Sequence, residues 1–520
     1  MREDSSIDAR SPAPNSSGWT SQLVLTTLFL AMVLEALALG SSMVTIGLPS
    51  ILKEFPTDQG GWLLTTYYLA GAVAAPVLGK FSDIYGKRKV LLLTLVASCA
   101  GAVICALAVS FPMLLAGRAL QGVIMASISL SYSLIRDTFP PKPAAIAASV
   151  TVTGMGAFSI VAPSLIGWLV DNWGFRGMFW FDTAWMGALA VAILFVAKES
   201  PLRRNASPDL LGALFLAVGV VPLLVWVSMS RTWGWVSPRA LLVAAIGVVS
   251  VALLYRHTRR SSDPIINLGL FRGKQLQFVT LTGATGYAFA GTAGTILPLM
   301  ATAPKGTPGY GLGFTTSQYS FIATPFALCT VLAGVVLGTL VSKGRHPQIF
   351  MALSMAIWPI GFVLLAFRHD TLVELVTAAL ILGTGVGLAN GSVPNLVIRA
   401  TPPDDQGSTS GAVQLCQTGF GAVIPVVMFA VLARYATITP TGVQYSEDGF
   451  RTWLLIAAAF AVVVLVVART LLWDRSTTST LLLGERGSAE FSIGSAVEPG
   501  PEAGIAPADI VNKTDRTVTP

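Results

Sequence analysis

Charge is scarce in this chain of 520 residues: Asp, Glu, Lys and Arg make up 11% of it, against about 25% in a soluble globular domain. A chain this long cannot cover itself for water at that density. Histidine and cysteine are scarcer still, with three and four copies. Cys99, Cys105, Cys329 and Cys416 all fall in apolar stretches with no CxxC, which excludes a disulfide framework or zinc site and leaves small apolar packers. The sequence also lacks Gly-x-x-x-x-Gly-Lys-(Ser/Thr), HExxH and Gly-x-Ser-x-Gly, so it carries no P-loop ATPase and no obvious hydrolase centre. What the chain does have is apolar: 53% hydrophobic residues, a mean hydropathy of +0.70, and fifty glycines set inside long apolar runs. These features exclude a soluble enzyme, a nucleic-acid-binding domain and a disordered chain. They describe an all-α membrane protein.

A helix needs about 20 mostly apolar residues to cross the hydrocarbon. Fourteen such runs are expected, near 22–48, 60–79, 89–109, 112–135, 144–170, 177–197, 209–229, 238–256, 276–300, 318–341, 347–367, 372–397, 408–433 and 451–473. The first is too long, and lacks the basic lead-in, for a cleavable signal peptide. With a cytoplasmic N-terminus, the inside loops hold seventeen Lys/Arg and the outside loops eight. That bias predicts both termini in the cytoplasm and accounts for the net charge of +7. Residues 1–21 and 474–520, rich in Ser, Pro, Gly and Thr, read as disordered cytoplasmic tails.

The loop after the second run reads Gly79-Lys-Phe-Ser-Asp83-Ile-Tyr-Gly86-Lys87-Arg88-Lys89. Its glycines suit a tight turn, Asp83 can pair with a cation or a helix N-terminus, and Lys87, Arg88 and Lys89 anchor the loop. A degenerate echo, Gly338-Thr-Leu-Val-Ser342-Lys343-Gly344-Arg345, follows the tenth run, as in transporters built from repeats.

This loop resembles the Gly-x-x-x-Asp-x-x-Gly-(Arg/Lys)-(Arg/Lys) signature of the major facilitator superfamily, and the chain is similar to its fourteen-span drug:proton antiporters. Arg118-Ala-Leu-Gln121-Gly122 resembles the fourth-helix Arg-x-x-Gln-Gly motif. Gly154, Gly156, Pro163 and Gly167 resemble the antiporter motif, with Ala162 and Ile166 departing from it. Asp209-Leu-Leu-Gly212 and Trp233-Gly-Trp235 are similar to the extra helix pair, and residues 263–272 to the entry of the second half. The first-helix acidic signature is absent: Gly40 stands at the Asp position and Thr45 at the Asn position.

An ionisable residue in the bilayer costs about 2.5–3.5 kcal/mol on insertion scales and is a functional candidate. Helical rise places two deep, Glu35 roughly 20 Å above the cytoplasmic side and Arg118 roughly 10 Å below the outer one. At that common level an ion pair across one cavity is expected. Desolvation raises a carboxylic pKa and a nearby cation lowers it, so Glu35 is a candidate proton carrier as well as a structural partner. Arg118 serves as electrostatic support, with Gln121 on its face. Asp182 and Glu374 lie near helix ends, where interfacial solvation is expected, and Asp182 is a secondary proton-site candidate. Tyr67, Asn390, Gln414 and Gln417 are candidate cavity residues. Asn395 could line the same cavity or act as polar helix–helix glue, and Tyr68, Phe289 and Trp358 could stack on an apolar substrate, with lipid or core packing the better reading of each.

The resemblance implies two six-helix bundles, 22–197 and 276–473, bridged by an extra pair within 198–275. It implies a plasma-membrane exporter of amphipathic, often cationic small molecules, exchanged for protons by alternating access. The Asp83 loop would clamp the cytoplasmic side and the Pro163/Gly167 helix would seal the bundles. No cofactor, metal, nucleic acid, ATPase subunit or enzymatic activity is expected; the partners are substrate, protons and membrane lipid, and the chain is a monomer. A carrier of a native metabolite, lipid or sugar, and a non-transporting sensor or scaffold, are the alternatives.

Overall fold

The structure is a computed structural model that describes residues 18–201, 209–261, 273–305, 311–400, 406–439 and 442–472. The expected tails, apart from residues 18–21, the 263–272 motif, and Arg203 and Arg204 lie outside these ranges.

Without water to bond the backbone, an apolar run in lipid satisfies its peptide groups internally, as a helix. The helices are α1 (Ser21–Glu54), α2 (Trp62–Tyr85), α3 (Lys87–Ala106), α4 (Phe111–Gln121), α5 (Ser127–Thr138), α6 (Pro141–Val196), α7 (Leu210–Trp233), α8 (Pro238–Arg260), α9 (Lys274–Thr302), α10 (Ser320–Ser342), α11 (Pro347–Phe367), α12 (Leu372–Ala400), α13 (Gln406–Leu432) and α14 (Glu447–Leu472). Local chemistry sets several starts. Ser110 accepts from Met113 N at the head of α4, with a proline in its first turn. Ser237, followed by Pro238, does the same for α8. A short antiparallel hairpin, β1 (Ala436–Thr439) and β2 (Gly442–Tyr445), joins α13 to α14; the sequence reading did not anticipate it.

Among the described residues eleven helices are long and apolar enough to cross a membrane, or twelve with the bent α2 counted as one span. Two departures separate this figure from the fourteen expected runs. Runs five and six are joined in the 56-residue α6, broken where Gly174 adopts φ 64°. Run nine is the helix α9, which is diluted by Thr282, Gly283, Thr285, Gly286, Gly291, Thr292, Gly294 and Thr295. The fourth run is helical throughout but tightens to a 3₁₀ stretch at Gly122–Ala126, between α4 and α5. A side chain at Gly122 would lie 2.2 Å from the Tyr67 carbonyl oxygen, so glycine there lets α2 close in.

Packing sorts the helices into sets. Helix α6 lies along α1 and α3, α4 lies against α2 and α3, and the 3₁₀ stretch against α2. In the second set α9 packs on α12, α13 and α14, and α12 on α10 and α11. The sets meet through α2 with α13, α1 with α9, and α6 with α10. Helices α7 and α8 pair with each other, and α7 touches both α2 and α13. Only 22% of the most apolar window of either is buried, so their leucine- and valine-rich faces are left for lipid.

Close contacts between the sets gather at the end where α1 finishes and α2 begins. Thr65 Oγ1 donates to the Ala422 carbonyl over 2.7 Å. A Cβ on Gly61 would lie 2.7 Å from Pro425 O, and one on Gly167 2.6 Å from Ser317 Cα. Toward the opposite end, Gly79 in α2 and Gly338 in α10 have no atom within 4 Å of an added Cβ. The structure is closed at the first end. Gly79 therefore sits inside a helix rather than in a turn, which corrects the expectation. Gly86, at φ 115°, makes the turn and starts α3.

The Gly383-x-Gly-x-Gly387 run serves helix packing. Thr330 Oγ1 donates to Gly383 O (3.1 Å), Ser354 Oγ donates to Gly385 O (2.7 Å), and a Cβ on Gly387 would lie 2.2 Å from Thr330 O. Gly387→Ala is expected to cost about 1–3 kcal/mol by overpacking, read as a lower thermal midpoint in detergent, while Gly338→Ala stays close to wild type.

Candidate functional site

Arg118 is fully buried in the fourth run, and three groups hold it directly. Its Nε donates to Leu63 O in α2 (3.2 Å), and its Nη1 donates to Gln121 Oε1 (2.8 Å). The guanidinium carbon sits 4.2 Å from the centre of the Tyr67 ring, within cation–π range. Gln121, one turn on, donates through Nε2 to Asp182 Oδ2 in α6 (2.7 Å). The amide thus bridges a cation and a carboxylate that interact electrostatically. Ser98 donates to the Gln121 carbonyl (3.3 Å), and Tyr67 Oη donates to Leu37 O in α1 (3.1 Å). Helices α1, α2, α3, α4 and α6 meet in this network.

Two expectations are corrected here. Asp182 is not interfacial: it is 1% exposed, and one of its oxygens is buried without a hydrogen-bond partner, as is Arg118 Nη2. Glu35 does not pair with Arg118, whose electrostatic partners are Cys105, Tyr67, Asp182 and Tyr68. Glu35 is buried at 6% exposure; its resolved polar contact is the backbone of Phe158 in α6, and its Oε1 has no partner. The depth estimate survives, because Tyr67 bonds the Leu37 carbonyl two residues from Glu35. Direction decides against the pair. Gly40 faces the Tyr67 hydroxyl, at 3.0 Å from an added Cβ, and five residues turn a helix by about 140° away from that face. Glu35 accordingly looks toward α6.

Gly40, with no side chain, leaves room for that hydroxyl. Tyr67 is 1% exposed and structural in this conformation rather than open to a substrate. Tyr68 stacks edge-on against Tyr287 of α9, 5.7 Å between centroids. Phe289 and Trp358 are core residues, 5.4 Å apart. Among the polar candidates, Gln417 is buried beside Gly283, Gln414 is half-buried and Asn390 is exposed. Asn395 bonds within its own helix, to Gly391 O. Among the described residues no hydrogen bond joins these groups to the Arg118 network. Glu374 is interfacial as expected: it accepts from Asp370 N (3.0 Å) and Thr371 N (3.2 Å), and pairs with Arg368 at 3.5 Å.

The Asp83 loop folds against its own half. Lys87 is buried and ion-paired with Asp137, which also accepts from Ser200 Oγ (2.7 Å); Asp83 lies 3.8 Å from the same ammonium. Arg88 donates to Leu194 O. The Glu199 carboxylate takes the first-turn N–H groups of Arg88 (3.0 Å) and Lys89 (3.1 Å), capping α3. The sequence reading missed Asp137 and Glu199. Their signal was the position of each acid beside a basic residue, in loops at the same end as Lys87. Pro163 and Gly167 lie in α6, Gly167 against the turn before α10. Gly154 and Gly156 lie in the same helix, but their side-chain surroundings fall outside those described. The cysteines are free, and no cluster of His, Cys, Asp and Glu among the described residues is placed to hold a metal.

Long apolar helices in two sets closed at one end, with ionisable groups buried between them, define a multi-pass membrane transporter. The Major Facilitator Superfamily profile matches residues 28–425 and again 279–512, and the chain belongs to that superfamily. It is 29% identical over 426 residues to the multidrug resistance protein Stp of Mycobacterium tuberculosis, covering 80% of this chain and 77% of that one. The multidrug transporter protein MdtP of Bacillus subtilis is 28% identical, covering 70% and 67%. The probable actinorhodin transporter of Streptomyces coelicolor is 26% identical, covering 87% and 79%. Among solved structures, a POT family transporter bound to 5-aminolevulinic acid shares the fold, with a TM-score of 0.62 at 12% identity over 86% of this chain and 96% of that one.

Gln121→Leu leaves Arg118 Nη1 and Asp182 Oδ2 unpartnered. Breaking a buried ionic network in this way costs about 3–5 kcal/mol, and the thermal midpoint in detergent should fall by several degrees, while Lys53→Ala at the exposed end of α1 leaves it unchanged.

Proposed function

We propose that this protein is a proton-coupled exporter of amphipathic, often cationic small molecules, working by alternating access in the plasma membrane. The observation that carries the proton coupling is Glu35, a carboxylate buried in α1 with an unpartnered oxygen and, among the described residues, no cation against it. Such a group is costly when ionised in a low-dielectric interior and gains most from binding a proton. Asp182 is the second acid in the same bundle, but it differs in its contacts: Gln121 donates to it and the Arg118 charge acts on it. The two therefore divide the work: Glu35 loads and releases the proton, and Asp182 balances the guanidinium. Moving one charge through 100 mV supplies about 2.3 kcal/mol for accumulation.

The substrate class rests on the relatives, two of which are named for multidrug resistance or transport. In this reading the chain crosses the membrane fourteen times with both termini cytoplasmic, since the inside loops hold the larger share of Lys and Arg. Bundles 22–197 and 276–473 rock about the extra pair within 198–275, and the closed end faces outward. The Asp83–Lys87–Asp137 cluster then lies at the cytoplasmic face, where it stiffens the α2–α3 turn. The chain acts as a monomer in membrane lipid and needs no ATPase subunit.

Glu35→Gln is expected to abolish drug-stimulated proton movement in proteoliposomes and flatten the pH dependence of efflux, with normal amounts of folded protein. Asp182→Asn should chiefly lower stability. Proton movement at the wild-type rate in the Glu35 variant would retire the assignment.

A further inference from the structure

Asp171 ends one face of α6, four residues beyond Gly167, and reaches the other helix set. The turn leading into α10 carries a reciprocal cap: Thr315 N donates to Gln318 Oε1 (3.0 Å), and Gln318 N donates to Thr315 Oγ1 (3.2 Å). Two first-turn N–H groups lie between these positions, and Asp171 takes both. Its Oδ1 accepts from Thr316 N (3.1 Å) and its Oδ2 from Ser317 N (2.8 Å). The carboxylate thus occupies the positive end of a helical turn that belongs to the opposite set. Gly167 brings the backbones close enough: a Cβ there would meet Ser317 Cα at 2.6 Å and Thr316 O at 2.7 Å. Three residues beyond Asp171, Gly174 breaks α6 at φ 64°, and eight residues further the same helix carries Asp182.

We propose that Asp171 is an interbundle latch, a carboxylate that keeps this end closed by capping the turn before α10 and must let go for the end to open. The proposal rests on the alternating-access reading and adds to it the group that sets the balance between the two states. Neutral Asn keeps the size of the side chain but offers one acceptor oxygen where the carboxylate offers two, so it holds weakly; Ala does not hold.

The test is a distance measurement by pulsed electron resonance across the closed end of the full chain. Spin labels are placed at Lys53→Cys and Lys305→Cys, both exposed and one in each set, with the four native cysteines replaced. Asp171→Ala should raise the ratio of long to short distances roughly tenfold, equivalent to about 1.4 kcal/mol, and Asp171→Asn should give a smaller rise in the same direction. Should the alanine variant fail to fold, the isosteric asparagine variant decides alone. Distance distributions unchanged from wild type in the variants that fold would overturn the latch. Drug-driven proton flux in wild-type proteoliposomes is read separately: its absence removes the exporter assignment while the distance comparison still reports on Asp171.

Discussion

A guanidinium taken out of water needs partners, and the way Arg118 obtains most of them sets the register of the N-terminal helices. The cost of burying an isolated ion is several kcal/mol even after relaxation, so no part of this cluster can move independently. Leu63 O fixes α2, the Tyr67 ring covers one face, and Gln121 passes the interaction on to Asp182 in α6. The approach is possible because the neighbouring backbones have almost no side chains between them. A Cβ on Gly101 would lie 2.6 Å from Gln121 N, and one on Gly117 would lie 2.6 Å from Cys105 Sγ. Small residues let helices meet at backbone distance in a solvent that gives no hydrophobic drive for association.

That arrangement separates two acids that sequence reasoning had weighted differently. Asp182 shares a polar network with its cation, whereas Glu35 lies on another face of α1 against α6 with an oxygen left over. In the proposed reading the carboxylate beside a cation is the structural one and the carboxylate without a counter-charge is the proton site. The division follows from contacts rather than from depth, since both acids lie well inside the bundle. Helix α6 touches both: Phe158 meets Glu35, Asp182 meets Gln121, and the Gly167–Asp171 face meets the turn before α10. One segment therefore links the ionisable interior to the contact between the helix sets.

Much of the architecture was legible in the sequence because the bilayer imposes it. Runs of about 20 apolar residues can only be helices, and each expected run is helical where it is described. The loop signature and the Arg118–Gln121 spacing could also be read, since each depends on neighbours within one or two turns. The span arithmetic was less secure: α6 runs through two expected segments, and α9 is too rich in threonine and glycine to stand out by hydropathy. The hairpin Ala436–Tyr445 left no strong local signal.

By itself the sequence determined a helical membrane chain, its superfamily resemblance, and the small set of ionisable residues costly enough to matter, because hydropathy and burial cost are properties of each residue and its near neighbours. Only the tertiary structure decided that Arg118 answers to Asp182 through an amide, that Glu35 faces α6, and that Asp171 crosses between helix sets. Those outcomes depend on the rotation of each helix about its own axis, which close packing between distant segments fixes and residue spacing along a single helix cannot encode.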